Sequence, residues 1–541
     1  MRFRKTIFAL LTLTALLAFS PARVPAQTGV DSNLPGAGFG PQDTSVPTLH
    51  VTTRETVIDV LVTDNKGQTV RGLTHADFTV EEDGKPQPIR SFREYDKSTP
   101  PAPPLKLPPN TYTNARSLPA NGPVQIFLFD VMGSPPPCMV GAKPYIADYL
   151  RTMPAGTQVV LFALSPSKGL ILLNDFTSDG PAAAAALLNS LDAEWFRNPV
   201  VAKPIAIAGM NQIAAYIAGI HGRKNLIWVV PGMPLMITRD GGYAQRSAMA
   251  PDMTYIHDLM DLYDRFTQEQ IAIYPLNPCG IHDLNGDDQE VADATGGALE
   301  NTNDYKGEAA RFVESTSHMY TLSYVPTRPD EDGHFHPIKI TVDRPGLHLV
   351  YRNGYNDEQP HPPDPALIHD LIQGPMRLGA LPSTQILFDL KVESGSVSSS
   401  KSSASPIPSA AIPHTKGTPY NVIYIIDPKR IALPQTPDGV RTASIELDLG
   451  AYDLYGQRVA TRSQTFKITI TPAQYNGFFR TPLKFSLPID LPRGQLKLRA
   501  GLFDTVANKA GTLEIPLKVE KGPAIKKPDA AKDAPGGTSQ P

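Results

Sequence analysis

The feature that most constrains this chain is a nearly continuous apolar run, Val124-Gln-Ile-Phe-Leu-Phe-Asp130, ending in an acid. A strand without a polar face has to be covered on both sides, as a central parallel strand is when helices lie on each face of its sheet. The following residues keep the same grammar. Residues 158–164, 169–174, 225–230 and 271–276 read as further strands. Helical patterns occupy 139–153, 181–191, 204–220, 253–270, 287–295 and 305–317. Ser178 or Asp179 is expected to cap the second helix, and Pro204 to sit in the first turn of the third. Strands separated by helices predict a doubly wound α/β domain over residues 123–325, with right-handed crossovers.

The flanks have a different texture. In residues 49–95, Ile58, Val60 and Val62 alternate with Val57, Asp59, Leu61 and Thr63, and turn residues such as Asp64-Asn-Lys-Gly67 follow. A small immunoglobulin-like β-module is expected there. Residues 96–122 hold seven prolines and read as a linker. Strands at 320–325, 336–342 and 347–351 predict a β extension of the α/β domain through residue 357. Residues 366–520 carry short strands at regular spacing without a helical pattern, the signature of a β-sandwich. Its Ser-rich insert at 394–416 and the tail at 521–541 are too poor in apolar residues to pack and are expected to be disordered.

The N-terminus bears on the compartment. Arg2, Arg4 and Lys5 precede an apolar stretch from Ile7 to Phe19, and Val24-Pro25-Ala26 offers a cleavage site before Gln27. Residues 1–26 therefore read as a signal peptide and 27–48 as a flexible linker, so a secreted or periplasmic protein is expected. Losing the four basic residues Arg2, Arg4, Lys5 and Arg23 takes the formal charge from −3 to −7. That balance argues against nucleic acid and anionic membrane as partners. No later segment is apolar enough to span a bilayer. Only two cysteines exist, Cys138 and Cys279. In an oxidising compartment they can pair, and two separate thiols are the alternative.

Several blocks resemble a known family. Thr63-Asp-Asn-Lys-Gly67 through Asp77-Phe78 to Glu82-Asp83-Gly84 is similar to the opening of the bacterial VWFA-related domain family of the acidobacterial type. Gly222-Arg-Lys-Asn-Leu-Ile-Trp228, Ile273-Tyr-Pro275, Ala294-Thr-Gly-Gly297 and Tyr320 to Tyr324 resemble its later parts, in the right order. The resemblance covers about residues 50–356. It implies a von Willebrand factor A-like, Rossmann-like domain. It also implies a Mg²⁺ or Mn²⁺ site above the sheet, built from oxygen ligands with one position open to a partner's carboxylate. Here the pattern is degenerate. Asp130 and Ser134 can supply oxygens, but Met132 stands at the middle position and a thioether suits Mg²⁺ poorly. The fourth strand runs into Val230-Pro231-Gly232, and Asp240 is the nearest substitute acid.

No motif of a hydrolase, nucleotide-binding loop or zinc protease stands out, so no cofactor and no catalytic residues are expected. The acidic loop at 282–288 reads as solvated, and His334 and His336 as parts of a surface hairpin. Ligands in open α/β sheets bind at the carboxyl ends of the strands. Around that rim lie Met132, Met233, Met236, Trp195 and Phe196, a flexible and aromatic set that suits a protein or peptide partner. Packing beneath the loops is the alternative. A non-catalytic binding or scaffold protein is the leading expectation, with cation-dependent adhesion and an unrecognised hydrolase as alternatives.

Overall fold

The computed structural model describes residues 55–95, 106–116, 118, 124–132, 136–190, 199–220, 222–230, 253–279, 286–298, 318–327, 334–356, 374–395 and 417–520. The expected signal peptide, the linker at 27–48, the last helix at 305–317, most of the acidic loop, the Ser-rich insert from 396 and the tail lie outside them.

The long apolar runs become one five-stranded sheet. Its strands are β6 (Val124–Asp130), β7 (Val159–Ser165), β8 (Gly169–Thr177), β9 (Lys224–Val229) and β10 (Ile271–Leu276), in the order β10-β9-β6-β7-β8. Neighbours pair in parallel except β7 and β8. Only three residues join those two, too few for a crossover, so they form an antiparallel hairpin. Every residue of β6, β7, β9 and β10 is buried. On one face Phe127, Phe129, Leu161 and Tyr274 meet α1 (Pro136–Thr152) and α2 (Gly180–Leu188). On the other, Ile126, Leu128, Phe162 and Trp228 meet α3 (Pro199–Ile217), α4 (Met253–Gln268) and Val291 of α5 (Gly286–Thr295). In α4, Leu259, Leu262, Tyr263 and Phe266 recur at helical spacing and carry the buried stripe. Asp179 caps α2 by accepting the Ala182 N–H at 3.0 Å, whereas Pro204 lies inside α3, which starts earlier at Pro199.

Elsewhere the described residues are mainly β, in four further sheets. Among the described residues the α/β layering lies within residues 124–298, between β-rich flanks. The N-terminal strands β1 (Thr56–Asp64), β2 (Phe78–Glu82), β3 (Lys85–Gln87) and β4 (Ser91–Tyr95) do not close on themselves. They pair with β11 (Met319–Tyr324), β12 (Phe335–Val342), β13 (Leu347–Val350) and β14 (Gly354–Asn356). The sheets β13-β1-β11-β4 and β14-β12-β2-β3 result. Ile58, Val60, Phe78, Val80, Tyr320, Leu322 and Ile340 fill the space between them. The described strands of the expected N-terminal module, β1 to β4, and β11 to β14 are thus two halves of one sandwich, and the α/β domain is inserted between β4 and β11.

The Pro-rich stretch also contributes. Its Thr111–Thr113 forms β5, which pairs with β15 (Phe388–Ser394) at the edge of the C-terminal sandwich. β16 (Thr418–Ile426) and β19 (Leu483–Leu491) complete that sheet. β17 (Arg441–Tyr452), β18 (Arg458–Ile470), β20 (Gly494–Asp504) and β21 (Lys509–Val519) form the opposing one. A short helix α6 (Pro472–Phe478) interrupts the strands, started by a capping box between Thr471 and Gln474 that the strand reading passed over. This sandwich docks on the end of α3. Thr384 accepts the Gly219 N–H at 2.9 Å and donates its own N–H to the Ala215 carbonyl at 2.7 Å.

The first sandwich meets the α/β domain through the outer face of β1. Leu61 joins the core cluster of the α/β domain that also holds Phe129 and Tyr274. Beside it the Asp59 carboxylate accepts from Thr321 at 2.5 Å and Gln270 at 3.3 Å, and lies 4.0 Å from the Arg223 guanidinium. Arg223 also donates to Tyr274 at 2.8 Å and to the Gly296 carbonyl at 2.5 Å, and Arg352 donates to the Val57 carbonyl at 3.0 Å. A buried ion pair is destabilised by several kcal/mol, about 3–5, when one partner is removed.

Lys224 lies in the same seam, donating to the Glu269 carbonyl at 2.6 Å. Burial pushes its ammonium down to about 8, against the pull of the Glu269 and Asp59 carboxylates. Above that pH the unfolded chain binds a proton that the folded chain has released, so stability rises with pH from about 8 towards 10. The slope approaches about 1.4 kcal/mol per unit. Urea unfolding at pH 7, 8, 9 and 10 should show this rise, and Lys224→Met should flatten it.

Two glycines separate close packing from open surface. A Cβ on Gly297 would sit 1.8 Å from the Ile273 carbonyl oxygen, whereas one on Gly141, in the middle of α1, meets nothing within 4 Å. Gly297→Ala is expected to lower the melting temperature sharply or abolish folding. Gly141→Ala is expected to raise stability by about 0.5–1 kcal/mol through helix propensity, read by the same thermal scan.

Candidate functional site

The carboxyl ends of β6, β7, β9 and β10 define the rim. At the first, Asp130 is buried and its Oδ1 accepts the Met132 N–H at 2.9 Å, while the Val131 N–H continues the sheet by donating to Leu164 at 3.1 Å. The carboxylate closes its own turn, as short acidic side chains do. Met132 is 1% exposed and belongs to the core cluster that contains Leu128, Met210 and Trp228. The expectation that Met132 lines the rim is thereby corrected. An apolar side chain following a buried strand gains more by entering the core than by covering a loop.

At the end of β7, Ser165 is fully buried. Its hydroxyl accepts the N–H groups of Ser167 and Lys168, each at 3.2 Å, and shapes the tight link to β8. At the end of β10, Asn277 accepts the Cys279 N–H at 2.8 Å. Cys279 is joined to Cys138 in the first turn of α1 by a disulfide. That bond ties the loop after the last strand to the helix after the first. Ser134, Asp240, Met233, Met236, Trp195 and Phe196 lie outside the described residues.

A Mg²⁺ or Mn²⁺ ion of the kind the resemblance implies needs several oxygens facing one point. Among the described residues the rim offers one such carboxylate, Asp130, and the side chain at the middle ligand position is turned into the core. The described donor set does not fit the ion.

The outer face of α1 starts beside the disulfide. Pro137, Val140, Gly141, Pro144 and Tyr145 recur there at helical spacing, and all five are exposed. Val140 is 58% and Tyr145 51% exposed, among the largest exposed apolar surfaces of the described residues. Sequence reasoning passed over this face because it looked for the inward stripe. The composition of the outer face itself, Pro137, Gly141 and Pro144 beside Val140 and Tyr145, was the available signal.

Comparison with known proteins adds little. No family model matches the chain, and no curated protein does. Solved structures match weakly. Proximal thread matrix protein 1 from the mussel byssus is 10% identical over 36% of this chain and 48% of its own, with a TM-score of 0.26. The match thus spans about half of the mussel protein. BatB from Bacteroides thetaiotaomicron is 12% identical over 36% of this chain and 98% of its own, at 0.24. Manganese-loaded TRAP protein from Plasmodium vivax is 9% identical over 49% and 98%, at 0.24. At such scores the likeness carries no argument of its own, and the fold rests on the strand order and layers described above.

The disulfide has a measurable weight. For its sequence separation of 141 residues, the chain-entropy relation gives about 5 kcal/mol as an upper figure. The double variant Cys138→Ser/Cys279→Ser is expected to unfold at lower urea, and reductant should move the unsubstituted protein to the same midpoint. Coincident midpoints with and without reductant would show that the bond contributes nothing.

Proposed function

We propose that this is an exported, non-catalytic binding or scaffold protein of the VWFA-related type, which holds a protein or peptide partner, without a metal ion, on a surface that runs from the rim of its α/β domain along the outer face of α1. The observation that carries the reading is the outer face of α1, a strip without charge that begins at the disulfide and exposes Val140 and Tyr145. Aromatic and aliphatic side chains at the centre of such a strip are the usual anchors of protein interfaces. The inward Met132 and the self-closed Asp130 turn support metal independence. Export is supported by the N-terminal sequence and by the disulfide, which persists in oxidising compartments. At the rim the two cysteines are bonded to each other and Ser165 is enclosed, so none of these three offers an open nucleophile. No described helix is long and apolar enough to cross a membrane.

Capture from extracts of the organism that makes the protein, on the immobilised mature protein in the presence of a chelator, tests the reading. A specific partner should be retained, and Val140→Arg/Tyr145→Arg should weaken its binding at least about tenfold, as expected for the loss of two anchors, without shifting the melting temperature. Retention that requires Mn²⁺ and disappears in Asp130→Ala would instead establish cation-dependent adhesion.

A further inference from the structure

The first sandwich holds a second constellation, independent of the rim. We propose that Glu82, Asp83 and His336 form a binding site for one divalent transition-metal ion of the zinc type. One ligand atom from each residue can be chosen so that all lie within 4.8 Å of one another. Glu82 and His336 are buried and Asp83 is exposed, so the site opens to solvent on one side.

The sequence and register explain the convergence. Phe78, Val80 and Glu82 alternate inward along β2, which places a carboxylate where the pattern calls for an apolar side chain. Glu82 stands opposite Ile338 on β12, and His336, two residues earlier, projects from the same face. Asp83 and Gly84 both have positive φ, 52° and 71°, the two-residue turn that closes a hairpin tightly. The turn swings the Asp83 carboxylate round to the imidazole, 2.8 Å from His336 Nδ1. The hydroxyls of Tyr324 and Tyr355 both donate to Glu82 Oε2 and fix the carboxylate's orientation, the role that outer hydrogen bonds play around bound metals.

The donor set selects the ion. One imidazole nitrogen with two carboxylates suits zinc, whereas magnesium and calcium prefer oxygen alone. Ligand atoms around one zinc lie about 2.0–2.2 Å from it, hence closer to one another than the present spread. The short, exposed Asp83 side chain supplies the closing movement. On binding, His336 presents an unprotonated ring nitrogen to the ion, and the contact between Asp83 and the imidazole gives way to bonds with the metal. Three protein ligands leave one position for water, and the ion pins the β2–β3 hairpin to β12.

Calorimetric titration of Zn²⁺ into the metal-stripped full-length protein tests this. One ion per chain is expected. Asp83→Asn, which keeps a residue suited to positive φ, and His336→Asn should each weaken it roughly ten- to hundredfold. The zinc-induced rise in melting temperature should vanish in both, while His348→Ala, at an exposed histidine bonded to Asn65, should change neither reading. Absence of binding overturns the proposal. So does binding that both variants leave intact, which would mark adventitious zinc on other histidines. Displacement of the zinc by equimolar Mg²⁺ would overturn the assignment of the ion class. Failure here leaves the rim reading untouched, because the two sites share no residue.

Discussion

The structure depends on the strand β1 having two occupied faces. Ile58, Val60 and Val62 close the sandwich, and Leu61 closes the α/β core from outside. Between those apolar contacts sits Asp59, held by Thr321, Gln270 and Arg223. A carboxylate at that depth is tolerated only because donors from three separate parts of the chain converge on it. Arg223 in turn reaches into the Thr295-Gly296-Gly297 corner, where backbone lies so close to β10 that only glycine fits at Gly297. The seam therefore sets how the inserted domain is held, and its polar groups specify one docking where an apolar contact could slide.

Much of the α/β domain was legible because its strands announce themselves. A run such as Val124–Asp130 has one solution, and the alternating helices supply the cover. The sandwiches were harder for a definite reason. Local alternation reports that β1 is a strand, but its partners β11 and β13 lie more than 250 residues away, and no local signal names them. β5 is harder still. Three residues, Thr111–Thr113, in a proline-rich stretch carry almost no pattern, and their strand character comes from β15 alone. α6 was missed although Thr471-Pro-Ala-Gln474 is a capping box in plain sequence, because about two helical turns are too few for an apolar period to register.

Site residues follow the same rule. Pairing of Cys138 with Cys279 could be raised from composition, but only the meeting of the α1 start with the β10 exit decides it. Met132 was legible as a poor metal ligand and not as a core residue, since the sequence does not say which way a side chain turns after a strand ends. His336 was read as part of a surface hairpin because it lies close to His334, and it is buried in β12, which pairs with β2 and β14 on its two edges. The inward phase of Phe78, Val80 and Glu82 was the available clue.

The insertion also dictates the order in which the molecule can be finished. Leaving the ribosome from its N-terminus, the chain presents β1 to β4 long before β11 to β14 exist, and β5 waits for β15 across 275 residues of sequence. The strands from β6 to β10 find one another within about 150 residues and can close first. The two sandwiches are nested around them like brackets, each opened early and completed only after what it encloses. Long-range closures of this kind are slow and leave strand edges uncovered in the meantime. The charged and proline-bearing edges at β3, with Lys85 and Pro86, are the sort of protection such a wait requires.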